Sequence, residues 1–219
     1  MVNLLKVAPS TDPAPIGEEM VSYVKKLNNL ADYIHCDVMN SNFVGKNTIT
    51  EKDVADIYAS TLVPLDVHLM VNEPKKLVEK YIKAGAFIVT VHYEAFKNKK
   101  DLIATLKLIR KNKALAGISI KPYTEVMEIM PYLAYCDLVL VMSVEPGLSG
   151  QRFMESANLK VRKLKQIRDD YGARYLIEVD GGIVPEVSRR LKTNGADIVV
   201  SGSYVYNSQS YADAIDDLR

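Results

Sequence analysis

Cysteine is scarce in this chain of 219 residues: Cys36 and Cys136 are the only two, far apart and without a CxxC spacing. That excludes a disulfide framework. Each thiol sits in or beside an apolar run and is expected to be buried and free, as in a reducing compartment. An excess of charge is also lacking, with 28 basic against 27 acidic residues and a formal net charge of +1. Global attraction to nucleic acid or to an anionic membrane is thereby excluded, and an anionic small substrate would need a local site. No stretch approaches the roughly 18 apolar residues of a membrane span, and residues 1–10 show no charged leader ahead of an apolar core. A cytoplasmic protein is expected.

Two further absences concern the fold. The first strand-to-helix turn, Ala8-Pro9-Ser10-Thr11-Asp12, has no glycine-rich dinucleotide fingerprint. No composition break or linker divides the chain, so one domain over residues 1–219 is expected.

What is present is a repeat of short apolar, β-branched runs at 4–10, 33–39, 64–71, 87–92, 116–121, 138–144, 175–180 and 197–203. Between them lie segments of helical period, among them 17–30, 74–84, 99–111, 156–170 and 185–193. Pro74 and Pro185 suit a first helical turn, and Gly85 and Gly195 suit left-handed C-caps. Strand then helix, about eight times over, predicts a parallel sheet covered on both faces, and a (β/α)8 TIM barrel fits the count and the length. The competing arrangement is an open doubly wound sheet, with its ligand at a switch in strand order.

In a barrel, chemistry is built at the C-terminal ends of the strands. Those ends carry Ser10; His35, Asp37 and Met39; His68 and Met70; His92 and Glu94; Lys121; Met142, Ser143 and Glu145; Asp180, Gly181 and Gly182; Gly202 and Ser203. His35 and Asp37 are two apart and share a face, with Cys36 on the other. With His68 and Asp180 they form a mixed nitrogen and oxygen set suited to one divalent ion such as Zn, Fe, Mn or Co. Asp66 is either an acceptor behind a ligating imidazole or a plain strand residue.

The paired glycine turns after the seventh and eighth strands suit a phosphate held by backbone amides, and the loop through Gly147 and Gly150 suits a lid. Met39, Met70 and Met142 line the same level. Lys121 offers a different chemistry, a Schiff base of the aldolase type, and a sugar-phosphate binder without turnover is a third reading. His92 and Glu94 read as polar lining.

Several motifs together resemble the ribulose-phosphate 3-epimerase family: Val7-Ala8-Pro9-Ser10, His35-Cys36-Asp37-Val38-Met39, His68-Leu69-Met70-Val71, Ile120-Lys121-Pro122, Val141-Met142-Ser143-Val144-Glu145-Pro146-Gly147, Glu178-Val179-Asp180-Gly181-Gly182-Ile183 and Ser201-Gly202-Ser203. The resemblance implies a (β/α)8 barrel and one divalent ion on His35, Asp37, His68 and Asp180. It implies that Asp37 and Asp180 are the two acid/base groups that invert C3 of a ketose phosphate through a metal-stabilised enediolate. Ribulose 5-phosphate going to xylulose 5-phosphate is the leading case, and a hexulose phosphate such as allulose 6-phosphate the alternative.

On the same resemblance, Gly181, Gly182, Gly202 and Ser203 grip the phosphate, with Gly147, Leu148, Ser149 and Gly150 covering it. Ser10, His68 and Asp180 also contact substrate, while the three methionines line the pocket and Lys121 is pocket wall. Three segments depart from the family pattern: Asn40-Ser41 where Asp-Gly is usual, Thr11-Asp12-Pro13-Ala14-Pro15 in place of Ser-Ala-Asp, and Gly-Leu-Ser-Gly in the lid. Self-association into a homo-oligomer is expected, as is common for barrels of this size.

Overall fold

The computed structural model describes residues 4–147 and 150–219; Leu148 and Ser149, expected to cover the phosphate, lie outside them. Its strands are β1 Lys6–Pro9, β2 Ile34–Met39, β3 Leu65–Met70, β4 Ala86–His92, β5 Leu115–Ile120, β6 Leu138–Met142, β7 Leu176–Asp180 and β8 Ile198–Ser201. All pairs are parallel, and the order runs from β1 through β8 and back down to β2. The ring is nearly closed. At the seam, β1 meets β2 through a bridge between Ser10 and His35, with the Thr11 amide donating to the His35 carbonyl at 2.9 Å. This order has no point where the winding reverses, which rules out the doubly wound alternative.

Alternation along the strands separates two apolar regions. On β6, Val139 and Val141 face the outer core beneath the helices, whereas Leu138, Leu140 and Met142 join Ala8, Ile88, Ile198 and Val200 inside the barrel. Residues in phase with that inner set are His35 and Asp37 on β2, Asp66 and His68 on β3, Thr90 and His92 on β4, and Glu178 and Asp180 on β7. The interior is therefore apolar toward one end and densely polar toward the other.

The helices are α1 Glu18–Lys26, α2 Ser41–Val44, α3 Glu51–Tyr58, α4 Val78–Lys83, α5 Lys99–Lys111, α6 Val126–Ile129, α7 Ser156–Tyr171, α8 Pro185–Asn194, α9 Ser203–Tyr206 and α10 Tyr211–Asp217. Local chemistry sets their ends: Thr50 and Asp53 form a capping box at α3, Asn98 accepts from the Lys100 amide at α5, and Gly195 closes α8 at φ 106°. The expected helix at 74–84 divides into a 3-10 turn, Pro74–Lys76, and α4, because Leu77 at φ −111° breaks the helical geometry between them.

One buried charge fastens the loop after β5. Lys160 of α7 is 5% exposed, and its ammonium donates to the carbonyls of Lys121 (2.9 Å), Pro122 (2.7 Å) and Thr124 (2.7 Å). Three donors meet three acceptors, so the charge is fully hydrogen-bonded away from water. Lys160→Met keeps the apolar stem and orphans the carbonyls. It is expected to lower stability by about 2–3 kcal/mol, seen as a drop in Tm of about 4–12 °C; an unchanged melting curve would refute this role.

Candidate metal and substrate site

Four side chains converge at the polar end of the interior. His35, Asp37, His68 and Asp180 each offer one donor atom, and these atoms all lie within 4.8 Å of one another. The Asp37 Oδ1 atom is 3.3 Å from His35 Nε2 and 3.2 Å from His68 Nδ1. The two imidazoles thus present different nitrogens. His35 turns its Nδ1 to Asp66 Oδ2 at 2.5 Å, and among the described residues its buried Nε2 makes no well-formed hydrogen bond, only the 3.3 Å approach to Asp37. A buried ring nitrogen so placed beside two carboxylates fits a metal ligand, and the donor set fits a divalent ion.

The two aspartates occupy contrasting electrostatic states. Desolvation would raise the Asp37 pKa, but the adjacent His35 and His68 outweigh it and hold the carboxyl far below the usual carboxylate range. Asp37 also accepts from Ser10 Oγ at 2.7 Å. Asp180 is pushed up to about 7 by desolvation and by the charge of Asp37. At neutral pH Asp37 is ionised, whereas Asp180 stands near the midpoint of its titration and can both hold and release a proton.

A cavity of about 550 Å³ opens above this cluster, lined by Ser10, Asp37, Met39, Met70, Met142 and Asp180 and by Gly147, Gly150, Gly181, Gly182, Gly202 and Ser203. The glycine turn after β7 admits nothing larger. At Gly182 (φ 61°) an added Cβ would lie 2.4 Å from the Phe153 amide nitrogen, and at Gly181 (φ 112°) it would meet Val144 at 2.6 Å. Ser143 Oγ donates to the Asp180 carbonyl at 2.9 Å, which anchors the end of β7. Asp12, Arg152 and Arg190 also line the cavity. Their positions on loops and in the middle of α8 gave no strand-end signal.

Other expected residues fall outside this arrangement. Asn40 caps α2 by accepting from the Phe43 amide at 3.1 Å and donates to Asn72 at 2.8 Å, away from the cavity lining. Lys121 places its ammonium 4.6 Å from the centre of the Phe43 ring and does not line the cavity, which removes the support for a Schiff-base site there. His92 is fully buried behind His68 rather than at the rim. Cys36 and Cys136 are buried and free, as expected.

Below the cluster lies a carboxylate that sequence reading passed over. Glu178 is fully buried, both its oxygens lack a partner among the described residues, and its pKa is raised well above the ordinary value by desolvation and by Asp66. Its signal was available, since it stands two residues before Asp180 and shares its face.

A family model described as the Ribulose-phosphate 3 epimerase family matches residues 6–206. The chain belongs to that family. It is 39% identical to the ribulose-phosphate 3-epimerase of Bacillus subtilis, covering 99% of each chain, and 41% identical to that of Synechocystis, covering 97% of this chain and 92% of the relative. Family membership makes it an isomerase of the epimerase type. The fold alone is shared with a tryptophan synthase alpha-subunit mutant from Pyrococcus furiosus, at TM-score 0.72 and 13% identity over 100% of this chain and 98% of that one. Among the described residues no helix is long and apolar enough to cross a membrane.

Proposed function

We propose that this epimerase interconverts D-ribulose 5-phosphate and D-xylulose 5-phosphate by inverting C3, with Asp37 and Asp180 as the acid/base pair. The observation that carries the reading is the placement of two carboxyls of opposed proton affinity at one point, on strands β2 and β7 separated by β1 and β8. Inversion needs a base on one face of the reacting carbon and an acid on the other. Groups whose surroundings drive their pKa values apart are suited to those roles.

Asp37, ionised and oriented by Ser10, takes the C3 proton of one epimer, and Asp180 delivers its own proton to the opposite face. In the reverse direction the roles exchange, so the pair carries one proton between turnovers. His35, Asp37, His68 and Asp180 would hold a divalent ion (Zn, Fe, Mn or Co), which when bound supplies Lewis-acid relief of the charge building on the C2 and C3 oxygens. Backbone at Gly181, Gly182, Gly202 and Ser203, with Arg152 and Arg190 on the same cavity, receives the phosphate. Met39, Met70 and Met142 exclude water from the reacting carbon.

Asn40, where the family usually has aspartate, leaves the sugar pocket unaltered. Asparagine and aspartate cap a helix equally well, and this side chain faces Asn72 instead of the substrate cavity. In deuterated water, metal-loaded protein given ribulose 5-phosphate is expected to yield xylulose 5-phosphate carrying deuterium at C3. Faster turnover of allulose 6-phosphate would replace the substrate, and phosphate-ester binding without exchange would replace the enzyme by a binder.

A further inference from the structure

His92 and Glu94 lie outside the four-residue cluster, yet they complete a buried chain that ends on it. His68 Nε2 is 2.9 Å from His92 Nε2, and the two rings stack at 4.9 Å between centroids. His92 Nδ1 is 3.1 Å from Glu94 Oε2. The other oxygen of Glu94 accepts from the Lys121 amide at 2.8 Å and from Thr124 Oγ1 at 2.5 Å. Both imidazoles are fully buried, and the Phe43 ring sits 5.0 Å from that of His92.

This geometry leaves few choices of proton. An ionised carboxylate only accepts, so the nitrogen of His92 facing Glu94 must donate. Although desolvation acts against it, Glu94 is held down to about 2 by its bonds from His92, Thr124 and the Lys121 amide, and is therefore ionised. A His68 that ligates through Nδ1, the nitrogen beside Asp37, carries its one proton on Nε2, the nitrogen that faces His92. With its Nδ1 protonated, His92 offers a lone pair at Nε2. Across 2.9 Å only one proton fits, so His68 donates from Nε2 and its Nδ1 is left bare. That Nδ1 is the atom 3.2 Å from Asp37 Oδ1.

We propose that Glu94 and His92 are positioning residues that fix the tautomer of His68, so that its Nδ1 lone pair faces the metal point. Resting on the metal reading above, the assignment adds two residues which touch neither metal nor substrate. It also gives the two imidazole ligands matched supports of different kinds: Asp66 behind His35, and a histidine-glutamate chain behind His68.

Glu94→Gln is the sharpest test because it changes one atom's role at constant shape. Two donors, Thr124 and the Lys121 amide, hold the Gln carbonyl on their side. Its amino group then faces His92 Nδ1 as a donor, which drives the His92 proton to Nε2 and the His68 proton to Nδ1. Zinc affinity, read by chelator competition, is expected to fall about 10–100-fold. His92→Gln with Glu94 kept turns an amide oxygen to His68 and an amino group to the Glu94 carboxylate, so this single variant is expected to stay within about threefold of the parent.

Long-range proton–nitrogen spectra of the zinc-loaded parent, which has three histidines in all, are expected to show the proton on Nδ1 of His92 and on Nε2 of His68. Unchanged zinc affinity in Glu94→Gln would overturn the proposal alone, as would a parent His92 protonated on Nε2. A parent that binds no zinc, manganese, iron or cobalt would remove the metal reading and this inference together.

Discussion

Asp37→Asn and Asp180→Asn are each expected to abolish net epimerisation while leaving half of the proton chemistry intact. Each aspartate faces one side of C3, so removing one deletes the delivery or abstraction on that side only. Loss of a positioned acid/base group lowers kcat by about 10²–10⁴-fold, and these carboxyls also belong to the metal cluster, which places the loss at or above the top of that range. The epimer whose C3 proton faces the surviving carboxylate will still exchange that proton for deuterium, and the two variants will favour opposite epimers. Loss of exchange with both epimers in both variants would point to failed metal binding rather than to a missing base. Near-normal interconversion by either variant would overturn the two-base assignment.

Stripping divalent ions with a chelator is expected to abolish turnover and to lower Tm together. An ion that binds the folded state alone stabilises it by about 4 kcal/mol at a thousandfold excess over Kd, which for a chain of this size corresponds to about 8–16 °C. The pH dependence has a definite sign. Asp180 keeps its proton below about 7 in the ion-free protein, and His35 is held well above its ordinary value by Asp37 and Asp66 despite its burial. Both protons must leave for these atoms to act as donors, so affinity rises with pH. Below pH 7 the Asp180 proton by itself weakens binding about tenfold per pH unit. Affinity that was flat between pH 5 and 7 would show that the ion displaces no proton from Asp180 in that range.

The strand-end positions of His35, Asp37, His68 and Asp180 were legible because a strand's period of two assigns each side chain to a face, and the barrel assigns its working end. Helix ends at Pro185 and Gly195 were equally legible, since their capping chemistry is local. The break at Leu77 was not, as apolar spacing runs through it unbroken.

Sequence by itself determined the eight strands alternating with helices, the family, and the four strand-end residues; closure of the strands into a ring came from the structure. Tertiary structure alone decided which nitrogen each histidine presents, why Asp37 and Asp180 differ in proton affinity, and that Glu178 lies buried beneath them. The same holds for the chain from Glu94 through His92 to His68. Periodicity sets the face and height of a side chain, whereas proton affinity and tautomer depend on desolvation and on partners within about 3 Å. Those partners come from strands more than 20 residues away in sequence, and only closure of the barrel brings them into contact.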